Sequence, residues 1–306
     1  MRIGITGGAG FIGTNLTLRL KQSGHEITII DDLSNSDINR VRLLDVNFLN
    51  ESIVNFDAVK EFLKGVDYVV HLAARGSVPR SIKDPVGTFN VNVLGTLNLL
   101  EATRLSGVPI IFTSSSSVYG LNPKTPKNER DWLHPISPYA ASKLNCESLA
   151  SAWSNSYNIK ILTFRLFNVF GPYQKPDSPY SAVIPKWSLS AIKNQEIKIF
   201  GDGTQLRDFT FVDDVINTIQ FSIDHNVEFS GPINLSFNKK ISVNELALMF
   251  KTFVPNLNIT HLDERPGDIK DSLSDGILMK SVFPNIENSN FENSLLSTFN
   301  WVKNNY

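Results

Sequence analysis

Short apolar runs alternate with stretches of helical periodicity along the first half of the chain. The apolar runs have the length of buried strands and lie at residues 2–6, 26–30, 68–72, 109–113 and 161–165. The helical stretches follow Gly10 and cover 91–105 and 139–157. Strands that alternate with helices in this rhythm predict a parallel sheet covered on both faces, as in a doubly wound α/β Rossmann domain.

The pattern changes after Gly171-Pro172 to proline-punctuated loops, short strands such as 197–200 and a last helix near 291–302. We expect a smaller, mixed α/β substrate-binding lobe there. The segment 209–224 has the pattern of a strand and a helix that return to the first domain. The sequence therefore predicts a Rossmann domain over 1–168 and about 209–228. The second lobe is expected over 169–208 and 229–306.

Composition narrows the range of partners. The net charge of -1 and the 19% of charged residues give no basic patch for nucleic acid, so a small-molecule partner is expected. A single cysteine, Cys146, excludes an intramolecular disulfide, and the five histidines lack metal-ligand spacing. Neither a signal-like segment nor an apolar stretch of about 18 residues is present, which predicts a cytoplasmic protein outside the membrane.

A glycine-rich turn follows the first predicted strand and opens the first helix. Gly7, Gly10 and Gly13 would let the backbone approach a pyrophosphate, which the free N–H groups of the helix N-terminus can bind. Eighteen residues after Gly13, Asp31 ends the second strand, close to the spacing at which a carboxylate reaches the adenosine ribose. Together with Asp32, this acid favours NAD over NADP, because it repels a 2′-phosphate.

Two further segments carry candidate catalytic groups. Tyr139 and Lys143 stand four positions apart and therefore share one face of a helix. A neighbouring cation can stabilise a phenolate, so that Tyr139 exchanges protons with a sugar hydroxyl, although this spacing also occurs in ordinary surface pairs. The serines of 114–117 follow a predicted buried strand and should emerge at the carboxyl end of the sheet, where ligands of such folds bind.

The motifs, in their order, resemble those of the extended short-chain dehydrogenases, the nucleotide-sugar epimerase and dehydratase family. They are GITGGAGFIG, DDLS, HLAA, NVNVLGTLNLLEA, SSSSVYG, SPYAASK, FRLFNVFGP, IFGDGTQLRDFTFVDD and RPGD. Among family members, the chain is most similar to 4-epimerases of UDP-N-acetylglucosamine and UDP-glucose. The resemblance implies nucleotide-sugar metabolism that supplies polysaccharide biosynthesis.

This resemblance implies a tightly bound NAD and a set of residues around it. The implied cofactor-binding residues are Gly7, Gly10, Phe11, Ile12, Gly13, Asp31, Asp32, Ser34, Ser52, Ile53, Leu72, Ala73, Ala74, Asn92, Tyr139 and Lys143. Many relatives carry Asp-Ile where this chain has Ser52-Ile53, so one adenine hydrogen bond differs here. Arg75 follows the alanine pair without an evident role.

The resemblance also implies catalytic and substrate-binding roles. Tyr139 is the implied base, Lys143 lowers its pKa and holds the nicotinamide ribose, and Ser115 binds the sugar O4. Arg207 and Arg265 would clamp the diphosphate, for which guanidinium groups are suited. The other implied substrate-binding residues are Ser77, Ser116, Asn168, Val183, Phe200, Asp268 and Ser272.

The residues after Ser115 bear on the reaction type. Related 4,6-dehydratases carry Asp-Glu there, and decarboxylases an acid nearby, whereas this chain has Ser116 and Ser117. The expected reaction is therefore C4 epimerisation, in which the sugar is transiently oxidised to a 4-keto intermediate and reduced on its other face. Dehydration or decarboxylation is the less favoured outcome, and a non-catalytic NAD sensor is a further alternative because fold does not fix function.

Substrate choice rests on fewer positions. The segment 76–81 resembles that of 4-epimerases acting on UDP-N-acetylhexosamines, and Ser272 stands where glucose-restricted relatives carry a bulky tyrosine. We expect UDP-GlcNAc and UDP-GalNAc, and also UDP-glucose and UDP-galactose. A UDP-glucuronate 4-epimerase is the alternative if Arg75 or Arg80 faces a carboxylate. The resemblance further implies a homodimer with a four-helix interface, although the stripe Val93, Leu97 and Leu100 also suits packing on the sheet.

Overall fold

The computed structural model describes residues 1–178, 180–264 and 270–306. The chain divides into two compact units, each built from several chain segments. Unit 1 comprises Met1–Gly120, Leu133–Arg165 and Ile216–Ile233, and unit 2 comprises Leu121–Trp132, Leu166–Val215 and Asn234–Tyr306. Each unit therefore depends on residues that are far apart in the sequence.

The strands are β1 (Arg2–Thr6), β2 (Glu26–Ile30), β3 (Asn47–Leu49), β4 (Tyr68–His71), β5 (Ile110–Ser115), β6 (Ile161–Leu166), β7 (Val169–Phe170), β8 (Ile197–Phe200), β9 (Leu206–Asp208), β10 (Thr210–Phe211), β11 (Pro232–Leu235), β12 (Lys240–Ser242) and β13 (Ile259–Leu262). Among the described residues, one sheet has seven strands in the order β11-β6-β5-β4-β1-β2-β3. The pairs β3–β2, β2–β1, β1–β4 and β4–β5 are parallel. The predicted doubly wound parallel sheet is thus confirmed.

The helices are α1 (Phe11–Gln22), α2 (Ile38–Leu44), α3 (Phe56–Phe62), α4 (Val78–Lys83), α5 (Pro85–Phe89), α6 (Gly95–Ser106), α7 (Pro138–Tyr157), α8 (Val183–Ile192), α9 (Val212–Asp224), α10 (Val243–Phe253), α11 (Ile277–Val282) and α12 (Phe291–Asn305). A 3₁₀ turn covers Ser116–Tyr119 and a π-helical segment covers Asn90–Leu94. Within the described ranges, no helix is both long and apolar enough to cross a bilayer.

Burial on both faces explains the continuous apolar runs of the central strands. Ile3 and Ile5 of β1 are fully buried, as are Val69 and Val70 of β4. Successive side chains of a strand point to opposite faces, so neighbours that are both buried require cover on each side. Leu100, with Val93 packed against its cluster, lies in the core between this sheet and the helices. Part of the predicted interface stripe therefore serves the chain's own core.

The helix predicted over 91–105 differs from a regular α-helix at its start. The π-helical segment Asn90–Leu94 precedes α6, and the backbone carbonyl of Asn92 accepts hydrogen bonds from Thr96 Oγ1 and from Cys146 Sγ at 3.2 Å. Side chains that bond this carbonyl accompany the wider turn, and π segments are common at functional sites. Periodicity alone does not distinguish these two helix types.

In its described part, unit 2 contains three pairs of short strands and several helices. β7 and β8 pair in parallel with β10 and β13, respectively, whereas β9 pairs antiparallel with β12. α10 begins with a reciprocal capping box, in which Ser242 and Glu245 bond each other's backbone N–H groups. This mixture of parallel and antiparallel pairs matches the mixed α/β character expected for the second lobe.

Candidate active site

The glycine turn between β1 and α1 is packed too tightly for side chains. Gly7 has φ of 69°, and a Cβ there would lie 2.7 Å from the backbone nitrogen of Ala73. A Cβ at Gly13 would lie 2.4 Å from the carbonyl oxygen of Gly7. Because both obstacles are backbone atoms, these two positions require glycine. The turn is also held against the segment 72–74, since Ala73 N donates to Thr6 Oγ1 at 3.2 Å.

The N-terminus of α1 is left open for an anion. Gly10 is the N-cap residue and supplies no capping side chain, and the first turn of α1 carries no acidic residue. Phe11, Ile12 and Gly13 begin the helix, so their N–H groups lack the usual intrahelical acceptors. A helix N-terminus of this kind suits a pyrophosphate, because its free N–H groups and dipole favour negative charge.

Asp31 is fixed next to this turn. Its Oδ2 accepts from the backbone nitrogen of Ala9 at 3.1 Å, and its Oδ1 accepts from Leu33 N at 2.9 Å and Ser36 Oγ at 2.8 Å. Burial raises the pKa of the Asp31 carboxyl, while the hydrogen bond from Ser36 opposes the rise. Asp32 in turn accepts from the backbone of Ser34 at 2.9 Å. Three donors thus hold the Asp31 carboxylate in one orientation beside the glycine turn.

The pair Ser52-Ile53 is directed towards the protein rather than outward. Ile53 is 3% exposed, and a Cβ on Gly95 would lie 2.5 Å from its Cδ1. Asn98 Nδ2 donates to the carbonyl oxygen of Ile53 at 3.1 Å, and Ser52 Oγ accepts from Val54 N at 3.3 Å. The implied adenine contact at these two positions stays a prediction.

Asn92 connects the loop after β4 to α7. Its Oδ1 accepts from Arg75 N at 2.8 Å, and its Nδ2 donates to Ser142 Oγ at 2.9 Å. Ser142 Oγ donates in turn to the carbonyl oxygen of Tyr139 at 2.7 Å. Asn92 is 1% exposed, so these bonds satisfy a buried amide. Asn92, implied as a cofactor ligand, therefore holds α7 against the loop after β4.

Tyr139, Ser115 and Lys143 lie together at the carboxyl end of β5. Ser115 is the last residue of β5, and Tyr139 stands in the first turn of α7, where its backbone nitrogen donates to Ser81 Oγ at 3.0 Å. The Ser115 side chain lies close enough to Tyr139 to lower the pKa of its hydroxyl. Lys143 Nζ donates to the carbonyl oxygen of Thr113 at 2.7 Å and is 5% exposed as a residue. The three predicted catalytic residues are thus brought together.

Burial dominates the ionisation of this group. It raises the pKa of Tyr139, and the Ser115 hydrogen bond opposes that rise. Burial also lowers the pKa of Lys143, against the effects of Cys146 and Glu147. The lowering of the Tyr139 pKa by Lys143 stays a prediction. The structure adds Ser115 as a group that favours the phenolate.

His71, at the end of β4, is a neutral side chain that interacts with Lys143. Its Nδ1 is 2.6 Å from Thr6 Oγ1 and its Nε2 is 3.0 Å from Thr96 Oγ1. Burial, aided by the charge of Lys143, lowers the pKa of His71 to about 3. The ring also stacks on Phe112 of β5 at 5.7 Å between centroids. His71 therefore connects β1 and α6 as a structural hydrogen-bonding group.

A buried ion pair holds the middle of α7. Glu147 accepts from Arg165 Nη2 at 2.8 Å and Nε at 3.0 Å, and also from the Ser114 hydroxyl. Arg165 Nη1 donates to the Tyr119 hydroxyl at 2.8 Å. Sequence reasoning missed this network, although a charged residue within the apolar strand β6 indicates that a buried partner is required.

Arg75 has a partner in the structure. Its Nη1 lies 2.6 Å from Asp84 Oδ2, and the two side chains are 24% and 50% exposed. Asp84 also caps α5, since its Oδ1 accepts from Gly87 N at 2.9 Å. Ser77 caps α4 by accepting from Arg80 N at 3.2 Å. Arg75 thus joins the loop after β4 to the junction of α4 and α5.

Within unit 2, Asn168, Arg207 and Ser272 gather around β9. Asn168 Nδ2 donates to the carbonyl oxygen of Asp208 at 3.0 Å, and Arg207 forms a β-bridge with Ser272. Arg207 Nη1 donates to the carbonyl oxygen of Lys270 at 2.7 Å. Val183 begins α8 and Phe200 ends β8. Arg265 and Asp268 lie outside the described residues.

Asp208, which sequence reasoning missed, holds this part of unit 2 together. It is fully buried and accepts from Lys239 N at 3.1 Å and Ser274 N at 3.4 Å. Burial raises its pKa to about 6, although the hydrogen bond from the Ser274 backbone opposes this rise. The carboxylate thereby ties the strand that carries Arg207 to the segments after β11 and around Ser272.

An anion-binding helix terminus, a fixed acid after the second strand and a Ser-Tyr-Lys group define an enzyme that uses a dinucleotide to act on a hydroxyl group. The chain belongs to the NAD dependent epimerase/dehydratase family, whose sequence model matches residues 3–236. The cofactor is therefore NAD, and the tight glycine turn with Asp31 beside it fits this group. When bound, NAD accepts and returns a hydride.

Named relatives in this family carry out different reactions. UDP-glucuronic acid decarboxylase 1 of Xenopus tropicalis is 32% identical over 258 residues, which cover 83% of this chain. The matched part spans only 60% of the length of that relative. UDP-glucose 4-epimerase of Mycolicibacterium smegmatis is 39% identical over 226 residues, or 71% of each chain. Family membership therefore does not determine the reaction type, which has to be inferred from the residues of the site.

One solved structure is similar over the full chain. It is the UDP-N-acetylglucosamine 4-epimerase of Methanobrevibacter ruminantium M1 in complex with UDP-N-acetylmuramic acid. The TM-score is 0.94 at 34% identity, and the alignment covers 100% of this chain and 99% of that chain. This similarity confirms the fold.

Proposed function

We propose that this enzyme interconverts UDP-hexoses at C4, with UDP-GlcNAc and UDP-GalNAc as the preferred pair and UDP-glucose and UDP-galactose as further substrates. The observation that carries the proposal is the group of Ser115, Tyr139 and Lys143 at the end of β5. Hydroxyl side chains, Ser116 and Ser117, follow Ser115 where an elimination would need carboxylates.

The proton chemistry follows from the position of these three residues. Tyr139 takes the proton of the sugar O4 hydroxyl, and Ser115 bonds the same oxygen. Lys143 places a cation one helical turn from Tyr139, within a buried site where charge interactions are strong. Returning the proton from Tyr139 to O4 completes the cycle, so the residues are regenerated in each turnover.

The residue types at positions 116 and 117, both serine, disfavour elimination and decarboxylation. A dehydratase has to move protons at C5 and C6, which requires an acid and a base beside the sugar. Both positions after Ser115 are serine, and serine hydroxyls are weak acids and weaker bases near neutral pH. Reversible oxidation at C4 needs neither group.

Two observations favour an acetamido sugar over a uronic acid. Ser272 is a small residue that forms a bridge with Arg207, which leaves room for a bulky 2-substituent near the implied diphosphate clamp. Arg75, a candidate partner for a sugar carboxylate, is ion-paired with Asp84 at 2.6 Å. The similar solved structure is that of a UDP-N-acetylglucosamine 4-epimerase, which supports the same substrate class for this chain.

The experiment is to incubate the purified protein with UDP-GlcNAc, without added cofactor, and to follow the anomeric proton signals by NMR. We expect UDP-GalNAc to accumulate to an equilibrium mixture. Tyr139→Phe should reduce the rate at least about 100-fold, the usual effect of removing a general base. Tyr157→Phe is the matched control, because this tyrosine lies at the other end of α7 and is 48% exposed.

The remaining outcomes separate the alternatives. Turnover of UDP-glucuronate alone, with retention of its carboxyl group, would replace the proposal by a uronic acid 4-epimerase. Release of CO₂ or of water would identify a decarboxylase or a dehydratase. No turnover of any of these substrates, with NAD bound, would contradict the UDP-hexose proposal and favour an NAD sensor.

A further inference from the structure

The main chain of Tyr139 is held by serine side chains on both of its sides. Its backbone nitrogen donates to Ser81 Oγ of α4 at 3.0 Å, and its carbonyl oxygen accepts from Ser142 Oγ of α7 at 2.7 Å. Both serines are 0% exposed. The phenol of Tyr139 is therefore attached to a backbone position that is fixed by two side chains in addition to its own helix.

The bond to Ser81 satisfies a backbone group at the start of α7. Ser137 is the N-cap residue, and its side chain accepts from Ala140 N at 3.1 Å. Tyr139 lies in the first turn, where the backbone N–H groups of an α-helix have no acceptor inside the helix. Ser81 supplies the acceptor from 58 positions earlier in the chain. Because a backbone N–H that loses its partner away from water costs free energy, this bond fixes where α7 begins.

The direction of each hydrogen bond at Ser81 follows from its partners. Ser81 Oγ lies 2.7 Å from the carbonyl oxygen of Val78, which can only accept, so the single hydroxyl proton is donated there. The N–H of Tyr139 can only donate, so it bonds a lone pair of the same oxygen. The side chain at position 81 is therefore the acceptor that connects α4 to Tyr139, and alanine at this position would remove the connection.

α4 is itself held to the loop that carries Asp31. The N-cap of α4, Ser77, accepts from Arg80 N at 3.2 Å. The side chain of Arg80 reaches out of this helix, and its Nη2 donates to Asn35 Oδ1 at 3.3 Å. Asn35 belongs to the loop after β2, in which the carboxylate of Asp31 is also fixed. α4 thus connects the predicted adenosine end of the cofactor site to the backbone of Tyr139.

The carbonyl side of Tyr139 is held independently of α4. Ser142 Oγ accepts from Asn92 Nδ2 at 2.9 Å, and Asn92 Oδ1 accepts from Arg75 N at 2.8 Å. These bonds come from the π-helical segment and from the loop after β4. If the bond to Ser81 is removed, they stay in place, so we expect α7 to remain folded while the first turn shifts.

We propose that Ser81 is a positioning residue for the proton transfer, which holds the backbone N–H of Tyr139 and thereby sets the position of its phenol. The inference rests on the proposed role of Tyr139 as the base. A displacement of about 1 Å at a reacting group can lower a rate about 100-fold, so a bond that fixes the backbone of the base affects the reaction. The implied substrate-binding residue of α4 is Ser77, and position 81 acquires a separate role.

The test is a double-mutant cycle between Ser81→Ala and Tyr139→Phe in the NAD-loaded enzyme. Ser81→Ala removes the acceptor, so we expect kcat for UDP-GlcNAc to fall about 5- to 10-fold, the effect of one hydrogen bond. In Tyr139→Phe the positioned group no longer transfers a proton, so the further change Ser81→Ala should alter the remaining rate by less than about twofold. A residue that only supports the fold would lower the rate by the same factor in both backgrounds.

Substrate binding and matched serine and threonine variants provide the controls. KM for UDP-GlcNAc should stay within about twofold in Ser81→Ala, because the lost bond holds the base and not the substrate. Thr103→Val is the control for a buried hydroxyl, since Thr103 is fully buried in α6 and bonds the carbonyl oxygen of Leu99 at 3.0 Å. Ser148→Ala is the control on α7, where Ser148 Oγ bonds the carbonyl oxygen of Leu144 at 3.1 Å. Both control variants should keep kcat within about twofold, because neither bond involves the base.

Hydrogen exchange of the Tyr139 amide measures the bond directly. Tyrosine labelled with ¹⁵N gives amide signals for the seven tyrosines, and Tyr139→Phe identifies the one that is lost. We expect this amide to exchange faster in Ser81→Ala, while the amide of Tyr68 in β4 keeps its protection. If Ser81→Ala does not fold, Ser81→Cys replaces it. The thiol is a weak acceptor of similar size, so exchange and kcat should change part of the way.

Several outcomes would overturn the inference. They are an equal loss of kcat in both backgrounds, an unchanged kcat, and an unchanged exchange rate of the Tyr139 amide. A rise in KM with kcat unchanged would also overturn it and would place Ser81 in substrate binding. No turnover of UDP-GlcNAc by the unchanged enzyme would contradict the proposed substrate alone. The same cycle on the UDP-sugar that is turned over, together with the amide exchange, would then decide on Ser81.

Discussion

At the scale of single residues, Asp31 is the predicted determinant of cofactor choice. Its carboxylate is held by the N–H groups of Ala9 and Leu33 and by Ser36 Oγ. Asp31→Asn removes the charge, and because an amide has only one oxygen, one of these donors loses its acceptor. We expect NAD affinity to fall about tenfold or more and NADP affinity to rise, since the repulsion of a 2′-phosphate disappears.

Equilibrium titration of cofactor-stripped protein with NAD and NADP would measure this effect. Asp57→Asn is the control, because Asp57 is an exposed acid of α3 that pairs with Lys60. A ratio of NAD to NADP affinity that is the same in Asp31→Asn and in the unchanged protein would contradict the assignment.

Sequence was sufficient for residues whose role is local and insufficient for those with distant partners. The glycines and Asp31 follow from spacing along one strand-turn-helix unit, and Tyr139 and Lys143 from helical periodicity. The partner of Arg75 could not be derived, because Asp84 lies in another loop and no periodicity connects the two positions. The contact of Ser117 Oγ with Ser115 Oγ at 2.9 Å could not be derived either, because it depends on the 3₁₀ turn at the end of β5.

At the scale of secondary-structure elements, the ion pair of Glu147 and Arg165 joins α7 to β6. Their side chains are 8% and 3% exposed, and Ser114 at the end of β5 bonds the same carboxylate. Removal of one partner leaves an unpaired buried charge, which costs about 3–5 kcal/mol. We therefore expect Glu147→Gln to lower the free energy of unfolding by about that amount, as measured by urea denaturation.

The double variant Glu147→Leu with Arg165→Met provides the contrast. Replacing both charges by apolar side chains of similar size should cost less than the single change, because no charge is left unpaired. Equal destabilisation in the single and double variants would show that packing, and not charge, accounts for the effect.

A comparison of the predicted and observed element boundaries shows which elements periodicity alone can locate. The predicted strands 26–30 and 197–200 agree with β2 and β8 because each is a short isoleucine-rich segment between turn residues. The helix predicted over 91–105 was right in type for α6 but not for the π-helical segment before it. That segment coincides with a hydrogen bond between Asn92 and Cys146, which are 54 positions apart, and a local pattern does not contain such a contact.

At the scale of the whole molecule, the Rossmann unit depends on a segment from the second half of the chain. α9 reaches α1 and the start of β2 through three contacts within unit 1: Asn217 with Arg19, Gln220 with Ser23, and Asp224 with His25. Ile216, Ile219 and Ile223 of this helix are 1%, 0% and 3% exposed. The pattern of 209–224 predicted that this segment returns to the first domain. The pattern did not indicate which residues of that domain the helix would contact.

A chain that ends at Arg165 should therefore fail to form a stable NAD-binding unit, even though it contains the glycine turn, Asp31 and Tyr139. Burial of the three isoleucines contributes about 1.5–3 kcal/mol each, which together is comparable to the 5–15 kcal/mol that stabilises a typical domain. A chain of residues 1–235 retains α9 and β11 and serves as the matched truncation, since both fragments lack an intact unit 2. Urea unfolding followed by circular dichroism, with NAD titration alongside, should show a cooperative transition and cofactor binding only for the longer fragment. Cooperative unfolding and NAD binding by the fragment 1–165 would mean that α9 covers unit 1 without being required for its fold.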